Sequence, residues 1–364
     1  MTSPAAGFDL TSLDRATLER ELTARGLPGF RARQLFQWIY QRDVTDFEAM
    51  TDLPRPLRTA LAAELTITTP RLIGRERSED GTEKFLLELD DERRIESVFI
   101  PDTPAMTFCV STQVGCAMAC AFCLTGRMGL VRNLTAAEIV GQVRLLAHAL
   151  DLRDRAFNIV LMGMGEPLHN YDETMTALRI LADPFGLAVP PRRVTLSTVG
   201  LVPAMDRLAA EPLMPNLAVS LHAATESLRR EIVPIGRKYS IDEVIDACRR
   251  FPLPKRRRIT FEYVLLAGVN DSDHEAHQLA NRLAGLRAKV NVIPLNAAPG
   301  IPFERPSDAA VDRFAGVLAS HHITVSVRKS RGRDIRAACG QLIVEGGRRS
   351  PAQILAAKID RNED

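Results

Sequence analysis

Three of the chain's six cysteines, Cys116, Cys120 and Cys123, fall within eight positions, in the stretch GCAMACAFCLTG at 115–126. Their C-x3-C-x2-C spacing puts three soft ligands on one short segment. A structural zinc site normally closes with four protein ligands in two short-spaced pairs. A cluster of four irons and four sulfides normally takes four cysteines as well. Cys109, seven residues upstream, is a candidate fourth, but it falls inside an apolar run that reads as a strand. A cluster held by three thiolates keeps one iron open to a substrate or cofactor.

Something must hold that segment in place. The chain has 364 residues, 46% hydrophobic and 25% charged, the mixture of a soluble globular enzyme. Its length suits one large domain with an appendage, or two ordinary ones. The N-terminal MTSPAAGFDLTSLDRATLERE carries charge too early for a signal-peptide apolar region. No apolar run is long enough to span a membrane, so a cytoplasmic location is expected. In a reducing cytosol, clustered cysteines point to metal or redox chemistry before structural disulfides.

Residues 11–65 have helical apolar spacing broken by GLPG, which predicts a small N-terminal helical domain over 1–70. EKFLLELDDERRIESVFIP reads as a hairpin turning at Asp90 and Asp91, within a linker over 71–101. From about 106 a regular rhythm begins. Strands are predicted at MTFCVSTQ, NIVLMG, RRVTLST, NLAVSLH, RITFEYVLLA and KVNVIPL, each followed by a helix. Ser240 and Glu243 form a capping box at one helix start, and TVSVRK adds a further strand. Six βα units predict a parallel sheet, either open and doubly wound or curled into a whole or partial barrel. Both arrangements put functional residues after the strand C-termini. The cysteine segment, GMGEP at 163–167, Ser197, Ser220, His222 and Asn296 all fall there. The βα core is assigned to 102–338 and a terminal segment to 339–364, ending in a tail at 346–364 with a short helix.

The three-cysteine motif after the first strand, with Phe122 before its last cysteine, resembles the radical S-adenosylmethionine (SAM) superfamily. LMGMGEPLHN, LSTVG, VSLHA, NVIPLN, the CG after RGRDIRAA and GLPGFRARQLFQWIY extend the likeness over roughly residues 15–345, to the RlmN/Cfr family of RNA adenine methyltransferases. The resemblance implies a partial (βα)6 TIM-type barrel. It implies one [4Fe-4S] cluster on Cys116, Cys120 and Cys123, whose open iron binds SAM, and two SAM per turnover. One SAM methylates Cys339; the other is cleaved to a 5′-deoxyadenosyl radical that takes hydrogen from that methyl group. The carbon radical then adds to adenine C2. Glu96 matches the residue that removes the C2 proton, and Cys109 the one that resolves the protein–RNA adduct through a transient disulfide. Gly165, Glu166, Ser197, Ser220, Leu221, His222 and Asn296 match SAM contacts, Leu221 through its backbone. The implied substrates are an adenosine of 23S rRNA in the peptidyl-transferase centre and the adenosine 3′ of some tRNA anticodons. An electron donor such as a flavodoxin system and a monomeric state are expected.

Without the resemblance, Cys339 reads as a small buried hydrophobe, Glu96 as a solvent-facing strand residue and His222 as a packed strand-end histidine. Cys248 reads as packing in either case. RRFPLPKRRR at 249–258 holds six basic residues and RKSRGRDIR at 328–336 holds five; with the N-terminal domain they are candidate RNA surfaces. Aromatics make up only 5% of the chain, so a broad base-stacking platform is not expected and one extruded base is. Three rival readings stand: a C8 methyltransferase of the same family, a radical SAM enzyme acting on a peptide or small molecule, and a zinc or iron–sulfur RNA-binding protein.

Overall fold

The computed structural model describes residues 8–101, 105–153 and 155–344; the tail expected at 346–364 lies outside them. The N-terminal part contains β1 (Phe8–Asp9), α1 (Arg15–Ala24), α2 (Phe30–Phe36), α3 (Arg55–Glu64) and β2 (Leu65–Thr66). Asp14 caps α1 by accepting from the Thr17 N–H, and β1 pairs with β2 to close the unit. Leu18, Leu22, Leu35, Phe36 and Ile39 are its buried stripe. Ion pairs fasten it to the rest of the chain, among them Arg15–Asp183 at 2.9 Å, Arg179–Asp14 at 2.7 Å and Arg144–Asp43 at 3.2 Å.

Three antiparallel strands follow, β3 (Arg71–Arg77), β4 (Glu83–Glu88) and β5 (Arg94–Ile100). The hairpin expected around Asp90 is there. β3 went unread because RLIGRER looks like a charged loop; it is an exposed edge strand, bulged between Leu72 and Gly74. Next come β6 (Thr107–Cys109), a small ribbon of β7 (Gln113–Gly115) and β8 (Leu130–Asn133) around α4 (Leu124–Met128), and α5 (Ala136–Ala149). The βα series continues through β9 (Asn158–Leu161), α6 (Tyr171–Ala182), β10 (Val194–Thr198), α7 (Val202–Ala209), β11 (Asn216–Ser220), α8 (Glu226–Ile232) and α9 (Ile241–Arg250). It ends with β12 (Ile259–Leu265), α10 (Asp273–Leu283), β13 (Ala288–Pro294), α11 (Asp308–Ser320) and β14 (Thr324–Val327). The predicted capping box at Ser240 and Glu243 is present on α9.

All but the short β1, β2, β7 and β8 strands form one ten-stranded sheet in the order β14-β13-β12-β11-β10-β9-β6-β5-β4-β3. β6 and β9 to β14 are mutually parallel, and β5 joins them antiparallel. Seven parallel strands laid flat would span roughly 29 Å. Yet one cavity is lined by Leu161, Ser197, Ser220, Glu262, Ile293 and Arg328, from β9 through the residue after β14. Only a curled sheet brings all six around one space. With edges at β3 and β14 the curl stays open, so the fold is a partial barrel.

The first parallel strand is shorter than MTFCVSTQ suggested. After Cys109 the chain leaves β6, because the Gln142 side chain from α5 takes both the N–H and the C=O of Ser111, at 2.8 and 2.9 Å. That capture releases Gln113–Gly115 to start the ribbon that carries the cysteine segment.

Candidate active site

The cysteine segment is a backbone construction before it is a ligand set. Gly115 sits at φ 76°, and a Cβ there would lie 1.9 Å from the Gly129 oxygen. That closeness lets the Cys116 N–H bond the same oxygen at 3.0 Å. Cys120 and Cys123 close a tight turn, N to O 3.1 Å, and the Ala121 N–H donates to the Ile232 carbonyl at the end of α8, 2.9 Å. Cys116 and Cys120 are buried and Cys123 half-buried. Burial pushes the Cys116 thiol up to about 12 and raises Cys120 and Cys123, and the three penalise one another's ionisation. Such a set ionises together only around a cationic group. No three described His, Cys, Asp or Glu side chains are arranged around a single metal ion. Three buried thiols on one loop are soft donors of the kind that iron–sulfur clusters take.

Above the parallel strands' C-terminal ends the cavity holds about 880 Å³ of empty space, counted to its open mouth. Its lining joins Cys116, Cys120, Cys123, Gly165, Glu166, Ser197, Ser220, His222, Asn296 and Cys339. Gly165, at φ 107°, approaches so closely that a Cβ would meet Gln113 at 2.7 Å. The Glu166 carboxylate accepts from the Leu168 N–H at 3.0 Å and the Val199 N–H at 2.9 Å, clamping the loops after β9 and β10 together. Burial still pushes it up to about 7. Ser197 and Ser220 hydroxyls lie 3.3 Å apart.

His222 adopts φ 61° and turns its ring under Phe122, centroids 4.7 Å apart. Its Nδ1 accepts from the Val264 N–H at 3.0 Å, which puts the proton of the neutral ring on Nε2. Burial lowers its pKa to about 3, so the ring stays neutral. Asn296 donates to the Cys339 carbonyl at 3.2 Å, and its Oδ1 is buried without a partner. A buried acceptor of that kind is a socket for a ligand donor. Leu221 lies outside the lining: its side chain is fully buried and its N–H is committed to the Glu262 carbonyl.

The stretch from Cys339 to Ile343 is laid along the site by a row of hydrogen bonds. Besides Asn296, the Leu124 N–H donates to the Gly340 carbonyl at 2.8 Å and the Thr125 hydroxyl to that of Leu342 at 2.6 Å. Gln341 donates to the Ala297 carbonyl at 3.0 Å, and the Ile343 N–H to the Glu96 carboxylate at 2.9 Å. Cys109, buried on β6 and outside the cavity lining, is pushed up to about 12 by burial, with the charge of Cys339 adding to the rise. All six cysteines are free. Glu96 is buried rather than solvent-facing, with the Lys84 ammonium at 3.2 Å; burial raises its pKa and Lys84 opposes the rise. Cys248 is buried in the core, as expected.

The sequence does not single out several residues of the site individually; Arg328 stands there only as the first residue of a basic run. Arg328 lines the cavity, its pKa raised first by the neighbouring charge of Cys339, with Glu262 and Cys109 adding to it. Glu262 also lines the cavity and accepts from Asn291 at 2.7 Å. A lone acid in the apolar run ITFEYVLL was the one clue to it. Asn270 joins three strand-end groups, donating to the His222 and Val264 carbonyls and accepting from the Leu266 N–H.

The two basic runs part company. Residues 249–258 precede β12, so they lie at the end of the barrel opposite the cavity, roughly 20 Å away along a seven-residue strand. Arg249 and Arg250 there pair with Asp246 and Asp206. Residues 328–336 begin in the cavity wall and are tied back through Asp334 to Ser78 and Glu79. Only the second run adjoins the site.

A family model described as the Radical SAM superfamily matches residues 110–280, and one described as the ribosomal RNA large subunit methyltransferase N-terminal domain matches residues 8–67. The chain is 51% identical over 335 residues to the dual-specificity RNA methyltransferase RlmN of Geobacter sulfurreducens, covering 92% of each chain. It is 49% identical over 330 residues to RlmN of Syntrophobacter fumaroxidans, covering 91% of this chain and 96% of that one. Among solved structures, a radical SAM methyltransferase from Sphaerobacter thermophilus matches with a TM-score of 0.87 at 49% identity, over 92% of this chain and 99% of that one.

Proposed function

The chain belongs to the RlmN family of radical SAM RNA methyltransferases, and from that premise we propose that it methylates C2 of an adenosine in the peptidyl-transferase centre of 23S rRNA and of the adenosine 3′ of some tRNA anticodons. The observation that carries the reading is the shared cavity. Cys339 lines the same space as Cys116, Cys120 and Cys123.

In this reading Cys116, Cys120 and Cys123 hold a [4Fe-4S] cluster. When bound, it supplies the electron that cleaves SAM to a 5′-deoxyadenosyl radical. The orphaned Asn296 Oδ1, the Ser197 and Ser220 hydroxyls and the His222 Nε2–H are groups able to orient SAM. Adenine C2 is electrophilic and does not attack a sulfonium methyl. The Cys339 thiolate does, and takes a methyl group from a first SAM. After losing one hydrogen atom to the radical, that carbon adds to C2. The adduct then gives up one electron, for which the oxidised cluster held by Cys116, Cys120 and Cys123 would be the acceptor, and Glu96 removes the C2 proton, leaving a closed-shell adduct. Glu96 suits the task because burial raises its pKa toward neutrality while Lys84 steadies the anion. Cys109 then attacks the Cys339 sulfur; the C–S bond breaks, the carbon takes a proton and leaves as methyl, and a disulfide remains for an external reductant. Two SAM are used per turnover, a flavodoxin-type donor supplies electrons, and the protein works as a cytoplasmic monomer. The RNA backbone is met by residues 328–336, the basic run beside the cavity.

Peptide mass spectrometry tests the methyl-carrier step. After incubation with SAM and reductant, the peptide containing Cys339 should be one methyl group heavier, and label from methyl-labelled SAM should pass through it into RNA. Labelled RNA formed by a Cys339→Ala variant would overturn the assignment.

A further inference from the structure

Arg229 is the largest wholly buried side chain among the described residues. It makes no ion pair among them. Its guanidinium donates to the Val199 carbonyl at 2.6 Å and the Tyr239 carbonyl at 3.1 Å, and its Nε has no partner. Added Cβ atoms at Gly236 and Gly200 would come within 3.1 and 3.5 Å of its nitrogens, so glycines make the room it occupies. Glu226, three positions earlier, contributes the first favourable charge ahead of Cys120, its Oε1 accepting from the Ile241 N–H and its Oε2 buried without a partner, but it makes no ion pair with Arg229 within 4 Å. Enclosing a full positive charge on two neutral carbonyls is costly. An anion nearby would offset that cost.

The geometry says where that anion belongs. Arg229 stands one turn before Ile232, whose carbonyl grips Ala121 in the middle of the cysteine segment. Val199, held by Arg229, packs with Ile232, Cys116 and Cys120 in one apolar cluster. The charge of Cys120 is felt at Arg229, and that of Arg229 at Cys120. Three thiolates and an iron–sulfur cluster together are net negative, and each electron added makes them more so.

Building on the cluster assignment above, we propose that Arg229 is the fixed counter-cation of the cluster and that its charge raises the cluster's reduction potential. One electron passes from a low-potential donor to the cluster, and Arg229 stabilises the extra negative charge without itself changing protonation. The buried environment strengthens that effect, because cluster potentials respond to nearby charge and solvent exposure.

The test is a mediated redox titration of the reconstituted protein, following the electron paramagnetic resonance signal of the reduced cluster. Arg229→Met removes the charge at similar length; Arg229→Lys keeps the charge and loses the forked contacts. At a fixed potential, Arg229→Met should show at least a tenfold lower ratio of reduced to oxidised cluster, a shift of about 59 mV to more negative values for one electron. Arg229→Lys should restore most of that loss, with iron content and melting temperature recorded for every variant. If Arg229→Met does not fold, Arg229→Lys decides alone: a midpoint near the parent's supports the charge, and one displaced by tenfold or more overturns it. A parent-like midpoint in a loaded Arg229→Met overturns the inference. No reducible cluster in the parent overturns instead the reading on which it rests.

Discussion

Replacing Gly115 by Ala should separate the fold from the ligand set. The added methyl carbon would stand 1.9 Å from the Gly129 oxygen, where such contacts are normally no closer than about 3.3 Å. The oxygen must therefore retreat by roughly 1.4 Å, and it cannot do so while accepting from the Cys116 N–H at 3.0 Å. Losing that hydrogen bond costs about 1 kcal/mol. Holding Ala at positive φ costs about 1–2 kcal/mol more. The sum, about 2–3 kcal/mol, falls at the entry to the cysteine segment and leaves the sheet intact. Gly285→Ala is the matched control: its φ of 77° imposes similar backbone strain with nothing within 4 Å of the new methyl. Iron and sulfide per chain after anaerobic reconstitution, with far-ultraviolet circular dichroism, make the assay. Gly115→Ala should stay folded and bind less than half the parent's iron, while Gly285→Ala binds the full amount. Equal iron in both variants would refute the reasoning.

Two further outcomes rest on buried charge. His222 has its pKa lowered to about 3, so below pH 6.5 the unfolded chain binds a proton the folded chain refuses; stability present above 6.5 is lost as pH falls toward 3. Between pH 6.5 and 5 the loss is about 1.6 kcal/mol, and urea unfolding of His222→Gln at those two pH values should show that much less loss than the parent; equal losses would contradict the assignment. Lys84→Met removes the cation facing Glu96, so the Glu96 pKa rises further. The acid limb of the pH–rate profile for RNA methylation should then move to higher pH, and an unmoved limb would exclude Glu96 as the base.

What the sequence made legible is what depends on local pattern. The cysteine spacing, strand–helix alternation and the glycines of GMGEP are read within a dozen residues. Strand ends then place Ser197, Ser220, His222 and Asn296 on one rim, because parallel strands all finish on the same side. Tertiary partners were not legible. Arg229 resembles any helix-surface arginine until α8 is folded under the cysteine segment. Cys109 and Cys339 are 230 positions apart, and β6 and β14 are six places apart in the sheet order, so only the curl of the sheet and the return of the 339–343 stretch across it bring them to one end of the barrel. The first strand was read as too long because nothing local shows that Gln142 will capture Ser111. Residues 249–258 carried a strong charge signal, but they precede β12 and so flank its N-terminal end, away from the cavity; a count of charges alone does not weigh that order.

The most direct test is nucleoside mass spectrometry of ribosomal RNA from cells lacking the modification. The RNA is treated anaerobically with the reconstituted protein, SAM and a reductant, beside a Cys339→Ala control. The account predicts 2-methyladenosine from the intact protein and none from the control. 8-Methyladenosine, or 2-methyladenosine from both proteins, would contradict it.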